Sequence, residues 1–265
     1  MGGRHVQRAL RLLEGSLSDA AALSEGHLMG AACSAVAELG SRERLVPLLR
    51  DLAAGAGDPA GCARLSYRHV LGFDKLLLVD GGPCRMLRAH IWHPGVRTES
   101  REDIHNHRSP LASHVVRGAL GMELYETAPE GSIPASWYRE SLSAREGDWL
   151  LEPAGPARLR LTQVARYGAG SGYALPPYAL HRAWCASAGP TVTLFLETGS
   201  VRRRYTDVFA ASGVRRGGTA VPKRPLAAAE YLAELGTLAD LLSDRRVRKS
   251  ARVRPGRAGT AGRRP

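Results

Sequence analysis

Cysteine is sparse in this chain of 265 residues: Cys33, Cys62, Cys84 and Cys185 stand far apart and no two form a CxxC pair. That spacing excludes a zinc knuckle and gives no ground for a disulfide framework. No run approaches the eighteen or so consecutive apolar residues of a membrane-spanning helix. The opening MGGRHVQRALRLLEGSL also lacks the uninterrupted apolar core of a secretory signal, so a cytoplasmic protein with no membrane partner is expected. Lysine is nearly missing, with three against thirty-four arginines, which reflects a GC-rich genome better than a functional demand. Acidic residues are absent from residues 245–265, RRVRKSARVRPGRAGTAGRRP, which hold nine Lys and Arg. Taking those nine from the net charge of +12 leaves +3 for residues 1–244, so the basic excess belongs to a tail. The tail has almost no apolar content and no aromatics, so disorder is expected there. It is free to touch phosphates non-specifically, but without stacking side chains it is not expected to bind nucleic acid specifically.

What is present is ordinary in amount, 44% hydrophobic residues, and long enough for one sizeable core with appendages. Leucines at three-to-four spacing in VQRALRLLEG and SRERLVPLLRDLAAG predict helices. So does the alanine-rich DAAALSEGHLMGAACSAVAELG, between a cap at Asp19 and Gly40. Gly55, Gly57, Asp58, Pro59 and Gly61 then break the pattern. From about residue 65 to 200 the texture changes to short β-rich runs: KLLLVD, RMLRAHIWHP, ASHVVRGALGMELYE, SWYRESLS, DWLLEP, ARLRLTQVARY and TVTLFLETG, separated by Gly and Pro. Many short strands without intervening helices predict an antiparallel sandwich or barrel. A last helix lies in PLAAAEYLAELGTLADLLSD. The expected organisation is a helical extension over 1–60, a β-barrel over 61–215, a helix within 216–244 and the tail over 245–265.

The stretch DIHNHRSPLASHVVRG, residues 103–118, holds two of the nine histidines one residue apart. On an extended strand His105 and His107 point to one face, as two ligands of a metal would. The stretch resembles the first motif of the cupins, which runs Gly, five residues, His-x-His, three or four residues, Glu, six residues, Gly. His105, His107 and Gly118 fit it, Glu99 replaces the opening glycine and Leu111 stands at the glutamate position. The second cupin motif runs Gly, five residues, Pro-x-Gly, two residues, His, three residues, Asn. GSGYALPPYALHRAWC matches it at Gly170, Pro176 and His181, with Tyr178 and Cys185 as departures. The resemblance implies a mainly β protein, a double-stranded β-helix or jelly roll, with a helical N-terminal extension and a C-terminal helix. With Leu111 unable to bind a metal, it implies a three-histidine site of His105, His107 and His181. Facial sites with open positions are typical of non-haem Fe(II) oxygenases, so Fe(II) is the expected cofactor, and O2 and a small anionic metabolite the expected partners.

Within the cupins, the three-histidine pattern is similar to the cysteine dioxygenase-like thiol dioxygenases. SYRHVL, RAHIWHPG, IHNHRS and LHR follow in the same order. That family binds substrate carboxylate through the arginine of a Tyr-x-Arg element. Here Tyr67 is followed by Arg68 and His69, which displaces the arginine by one residue and, on a strand, to the other face. Leu111 stands where many relatives carry a crosslinking cysteine, and the Ser-x-His-x-Tyr triad falls on Thr193 to Glu197, without its histidine and tyrosine. The metal set is intact while the thiol specificity is altered.

Alternation from Leu111 places Ser113, Val115 and Arg117 towards the pocket and His114 away from it. Arg88, His90 and Trp92 share one face of their strand, and Tyr173 and Trp184 are further expected pocket residues. The candidate substrate-binding set is therefore Tyr67, Arg68, His69, Arg88, His90, Leu111, Ser113, Arg117, Tyr173 and Trp184, with no catalytic group beyond the metal ligands. The resulting expectation is a mononuclear iron dioxygenase for a thiol or a catechol-like or enolised ring, in specialised metabolism. A metal-dependent isomerase or lyase and a non-catalytic metal-binding sensor remain the alternatives. Monomer and homodimer are both open.

Overall fold

The computed structural model describes residues 3–18, 23–69, 73–82, 85–95, 103–142, 148–199, 203–211, 220–222 and 224–244. Four helices come first: α1 (Arg4–Ser16), α2 (Glu25–Leu39), α3 (Arg42–Ala53) and α4 (Pro59–Arg64). Thirteen strands follow: β1 (Tyr67–His69), β2 (Phe73–Asp80), β3 (Met86–Trp92), β4 (Ile104–His105), β5 (Leu111–Arg117), β6 (Ala119–Thr127), β7 (Ile133–Leu142), β8 (Asp148–Gly168), β9 (Gly172–Leu175), β10 (Leu180–Cys185), β11 (Thr191–Glu197), β12 (Thr206–Ala211) and β13 (Ala220–Pro222). Helix α5 (Ala228–Ser243) ends the described chain. None of the described helices is long and apolar enough to cross a membrane.

The strands form two antiparallel sheets. The first runs β1-β2-β3-β11-β5-β9 and the second β13-β8-β6-β10-β4-β12-β7. Within them β3-β11-β5-β9 and β8-β6-β10-β4 interleave early with late strands. That is the double Greek key of an eight-stranded jelly roll, the fold expected from the two motifs. A further β7–β8 pairing closes the second sheet on itself.

Alternation along the strands sorts residues between several cores. From the first sheet, Leu76, Leu87, Ala89, Ile91, Ala112, Val192, Leu194 and Leu196 face the helices. Phe73, Trp92, Leu111, Val115, Leu175 and Phe195 face inward and meet Leu120, Met122 and Ala183 of the second sheet. The closed part of the second sheet holds a third cluster around Ile104, Tyr125, Leu159, Leu180 and Phe209. Strand β11 is buried along its whole length because helices cover one of its faces and the second sheet covers the other. Leu194→Ala is therefore expected to cost about 2–5 kcal/mol, read from the midpoint of urea unfolding.

Several local expectations are corrected. Helix α2 begins at Glu25, capped by the Ser24 hydroxyl, which accepts from the His27 N–H; Asp19 lies outside the described residues. The Gly/Pro segment expected only to break the helices contains α4, because the Asp58 carboxylate accepts from the Gly61 N–H and Pro59 opens the first turn. DWLLEP and ARLRLTQVARY are one strand, β8, which passes its Pro and Gly residues by a bulge opposite Trp137 and Tyr138, with Gly155 at φ +120°. ASHVVRGALGMELYE splits into β5 and β6 at Gly118, whose φ of +77° and contact with Thr191 leave no room for a Cβ. The tail over 245–265 and Glu99 lie outside the described residues.

Candidate metal centre

Three elements bring the histidines together. β4 pairs with β10 so that His105 stands directly opposite His181, with ring centroids 4.7 Å apart. His107 lies beyond the end of β4, in contrast to the extended strand expected, because the Asn106 side chain takes over the ladder. Its amide oxygen accepts from the Asp207 N–H at 2.8 Å, and its own backbone N–H reaches the Asp207 carbonyl at 3.2 Å. The His107 N–H then donates to the Pro177 carbonyl. The ring of His107 still turns back, 5.1 Å from His105 and 5.0 Å from His181.

The three ligand nitrogens lie within 4.8 Å of one another, and Nε2 of His107 is 3.4 Å from Nε2 of His181. Two nitrogens bound at right angles with bonds near 2.1 Å are about 3.0 Å apart, so this pair already approaches a shared-ion geometry. Nδ1 of His105 is held by the Asp103 carbonyl at 2.9 Å and Nδ1 of His181 by the Ala179 carbonyl at 3.3 Å. Those contacts place the proton on Nδ1 and leave Nε2 as the free donor, the arrangement of a ligating imidazole. Burial of the rings pushes His105 down to about 4 and His107 well below the ordinary imidazole value, helped in His107 by His181 and His105. Both rings are thus neutral at pH 7 and ready to bind a cation. The chemistry of the donors fits one divalent metal, and no carboxylate belongs to this group among the described residues.

The expected substrate residues divide. Leu111 is a fully buried wall of the inner core, with Ser113 beside it. The Ser113 hydroxyl has no hydrogen-bond partner among the described residues. His90 faces inward and stacks on Phe195 at 4.6 Å, and Tyr173, opposite Ser113 in register, sits 4.8 Å from Tyr167. Tyr67 is buried and faces Lys75 across β1 and β2. Arg88 faces inward but its guanidinium binds the Glu197 carboxylate at 2.5 Å.

Three expectations fail. Arg117 donates to the Leu241 carbonyl of α5 at 3.0 Å, because a bulge sets Val192 against Arg117 and Thr193 against Val115, which reverses the alternation. Arg68 points to α5, where it pairs with Glu230 and Glu234 at 3.0 and 3.1 Å. Trp184 lies against Gly121 on the face opposite His181, as three residues along a strand demand. The side chain of His69 lies outside the described residues. His114 faces the helical layer beside Gly40, as expected.

Two groups escaped sequence reasoning. Lys75 on β2 faces His90 in register and acts electrostatically on His105 and His107. Glu140 on β7 shares the face of Val208, which stands opposite His105. Burial pushes its carboxyl upward from its ordinary value, against the pull of Lys75 and a hydrogen bond from Thr206.

No family model and no curated protein matches this chain. Solved structures do. A cupin-like protein of Thermotoga maritima is 14% identical over 48% of this chain and 69% of its own, with a TM-score of 0.28. An oxalate decarboxylase of Lactobacillus farciminis is 13% identical over 54% of this chain, which spans only 32% of its length, with a TM-score of 0.33. A hydroquinone 1,2-dioxygenase solved with Cd2+ and 4-hydroxybenzonitrile is 13% identical over 58% of this chain and 72% of its own, with a TM-score of 0.29. At such scores the assignment rests on the strand order of the chain itself, and what that order makes the chain similar to is the cupin jelly roll.

Proposed function

We propose that this protein is a mononuclear non-haem Fe(II) dioxygenase acting on a small anionic metabolite, a thiol or a catechol-like or enolised ring. The observation that carries the reading is the all-imidazole donor group of His105, His107 and His181, while Leu111, buried in the inner core, offers no carboxylate to it. Three neutral ligands leave the charge of a dication uncompensated, which favours substrates that bring anionic donors of their own. When bound, the metal supplies the redox chemistry by which O2 is combined with substrate.

The residues around the centre have distinct tasks. His105, His107 and His181 hold the metal, and the carbonyls of Asp103 and Ala179 fix the orientation of two of the rings. Phe73, Trp92, Leu111, Leu175 and Phe195 keep the inner core apolar and exclude water from the reacting groups. His90 and Ser113 present polar atoms from the first sheet towards that space.

The test is metal analysis followed by oxygen uptake. The expected result is one divalent metal per chain, with Fe(II) restoring O2 consumption on at least one of a panel of small thiols and dihydroxy-aromatic acids. Conversion of such a compound without O2 consumption would assign the site to a metal-dependent isomerase or lyase, and failure to retain metal would leave a sensor or scaffold.

A further inference from the structure

The candidate centre is built from imidazoles alone, and the arginines expected to supply a positive charge are occupied elsewhere: Arg68 with Glu230 and Glu234, Arg88 with Glu197, Arg117 with the Leu241 carbonyl. A lysine of the first sheet, Lys75, faces the same space. Phe73 and Lys75 alternate with Leu76 on β2, so they share the inward face while Leu76 joins the helical core. The Lys75 ammonium lies 5.4 Å from the Phe73 ring centroid and 5.6 Å from that of Tyr67. From Phe73 the contacts run inward to His90 at 5.5 Å, from His90 to Phe195 at 4.6 Å, and from Phe195 to His107 at 5.8 Å. In register Lys75 stands opposite His90, whose ring faces inward from β3. Among the described residues no carboxylate comes within ion-pair distance of Lys75. Glu140, the acid on that side, is engaged by the Thr206 hydroxyl at 3.2 Å.

We propose that Lys75 binds a carboxylate of the substrate, and so selects metabolites that join a metal-chelating end to a single carboxylate. The proposal rests on the reading of the centre as a site for small anionic metabolites and names the group that recognises them. A lysine offers one compact charge with rotatable donors, which suits a monoanion. A doubly charged phosphate would keep one charge unmatched in an apolar surround. The aromatic faces of Phe73 and Tyr67 hold the ammonium by cation–π attraction without neutralising it, so it stays available to a ligand.

The test uses the full chain loaded with Co(II), which reports ligands through its visible absorption and does not turn over. Two matched pairs serve as probes: 3-mercaptopropionate against 1-propanethiol, and 2,3-dihydroxybenzoate against catechol. Wild type is expected to bind the carboxylated member of at least one pair about tenfold or more tightly, the scale of one charge-assisted hydrogen bond. Lys75→Met, which keeps the stem, should erase that preference and leave the Kd of the uncharged member within about twofold, while Lys75→Arg should retain part of it. An equal preference in Lys75→Met, or no preference in wild type while the uncharged probes still perturb the Co(II) spectrum, overturns the role of Lys75 and leaves the metal centre standing. If the protein fails to retain Co(II), or if no probe perturbs it, the proposed function falls and this role with it.

Discussion

His181→Ala is expected to strip the protein of its metal. His181 is one of three ligands and is the one supplied by a different part of the chain, β10, set directly opposite His105 on β4. Without it, His105 and His107 form a two-imidazole clasp with no carboxylate in the group to complete it. Losing an outer contact to a ligand costs 10–100-fold in metal affinity, so loss of a ligand itself should exceed about a hundredfold. The ring is buried, yet its strand keeps its backbone ladder to β6 from Leu180 to Cys185, so the fold should survive. Metal content after dialysis against a weak chelator, with circular dichroism as the check on folding, decides the matter. His114→Ala is the control: His114 packs beside Gly40 on the helical side, and metal should be retained. Retention in His181→Ala, or loss in His114→Ala, would end the three-histidine reading.

The histidine site was legible because its spacing lies within short stretches: His-x-His, the glycine that turns the chain at Gly118, and the later Pro and His of the second motif. The two-sheet architecture was legible for a similar reason, since alternation and turn residues are local. What was missed depends on contacts between distant segments. Arg68 meets Glu230 and Glu234 more than 160 residues on, and nothing near Arg68 announces α5. The bulge that turns Arg117 away sits inside VVRG, an unbroken run of good strand formers, and is set by its mismatch with β11. Trp184 could have been placed from the text, because residues three apart on a strand face opposite sides. Lys75 also left a signal, the one cation of β2, next to Asp74 and just ahead of the buried run from Leu76 to Val79. Within KLLLVD that signal is weak, because the run reads as a generic strand.

Asp207→Ala tests a contact that only the folded chain reveals. The carboxylate of Asp207 accepts from the Asn106 amide at 2.8 Å, from the Trp137 indole at 3.0 Å and from the Arg203 guanidinium at 2.9 Å. Asn106 is the residue between His105 and His107, and Arg203 also donates to the carbonyl of Pro177, which accepts from the His107 N–H. The network therefore grips the two-histidine segment from the face away from the metal. Removing the carboxylate leaves three donors without an acceptor, one of them charged and partly screened by solvent. A loss of about 2–4 kcal/mol in stability is expected. Metal affinity should fall as well, by about 10–100-fold, because His107 lies beyond the strand and owes its position to this grip. Asp207→Asn keeps one acceptor oxygen and should fall between Asp207→Ala and wild type on both scales. The two effects separate if affinity is titrated at a temperature where Asp207→Ala is fully folded. An unchanged affinity there, with only the melting temperature lowered, would show that Asp207 braces the fold without positioning the ligands. A fall in affinity under those conditions means that the histidines are held for the metal before it arrives, by a carboxylate that never touches it.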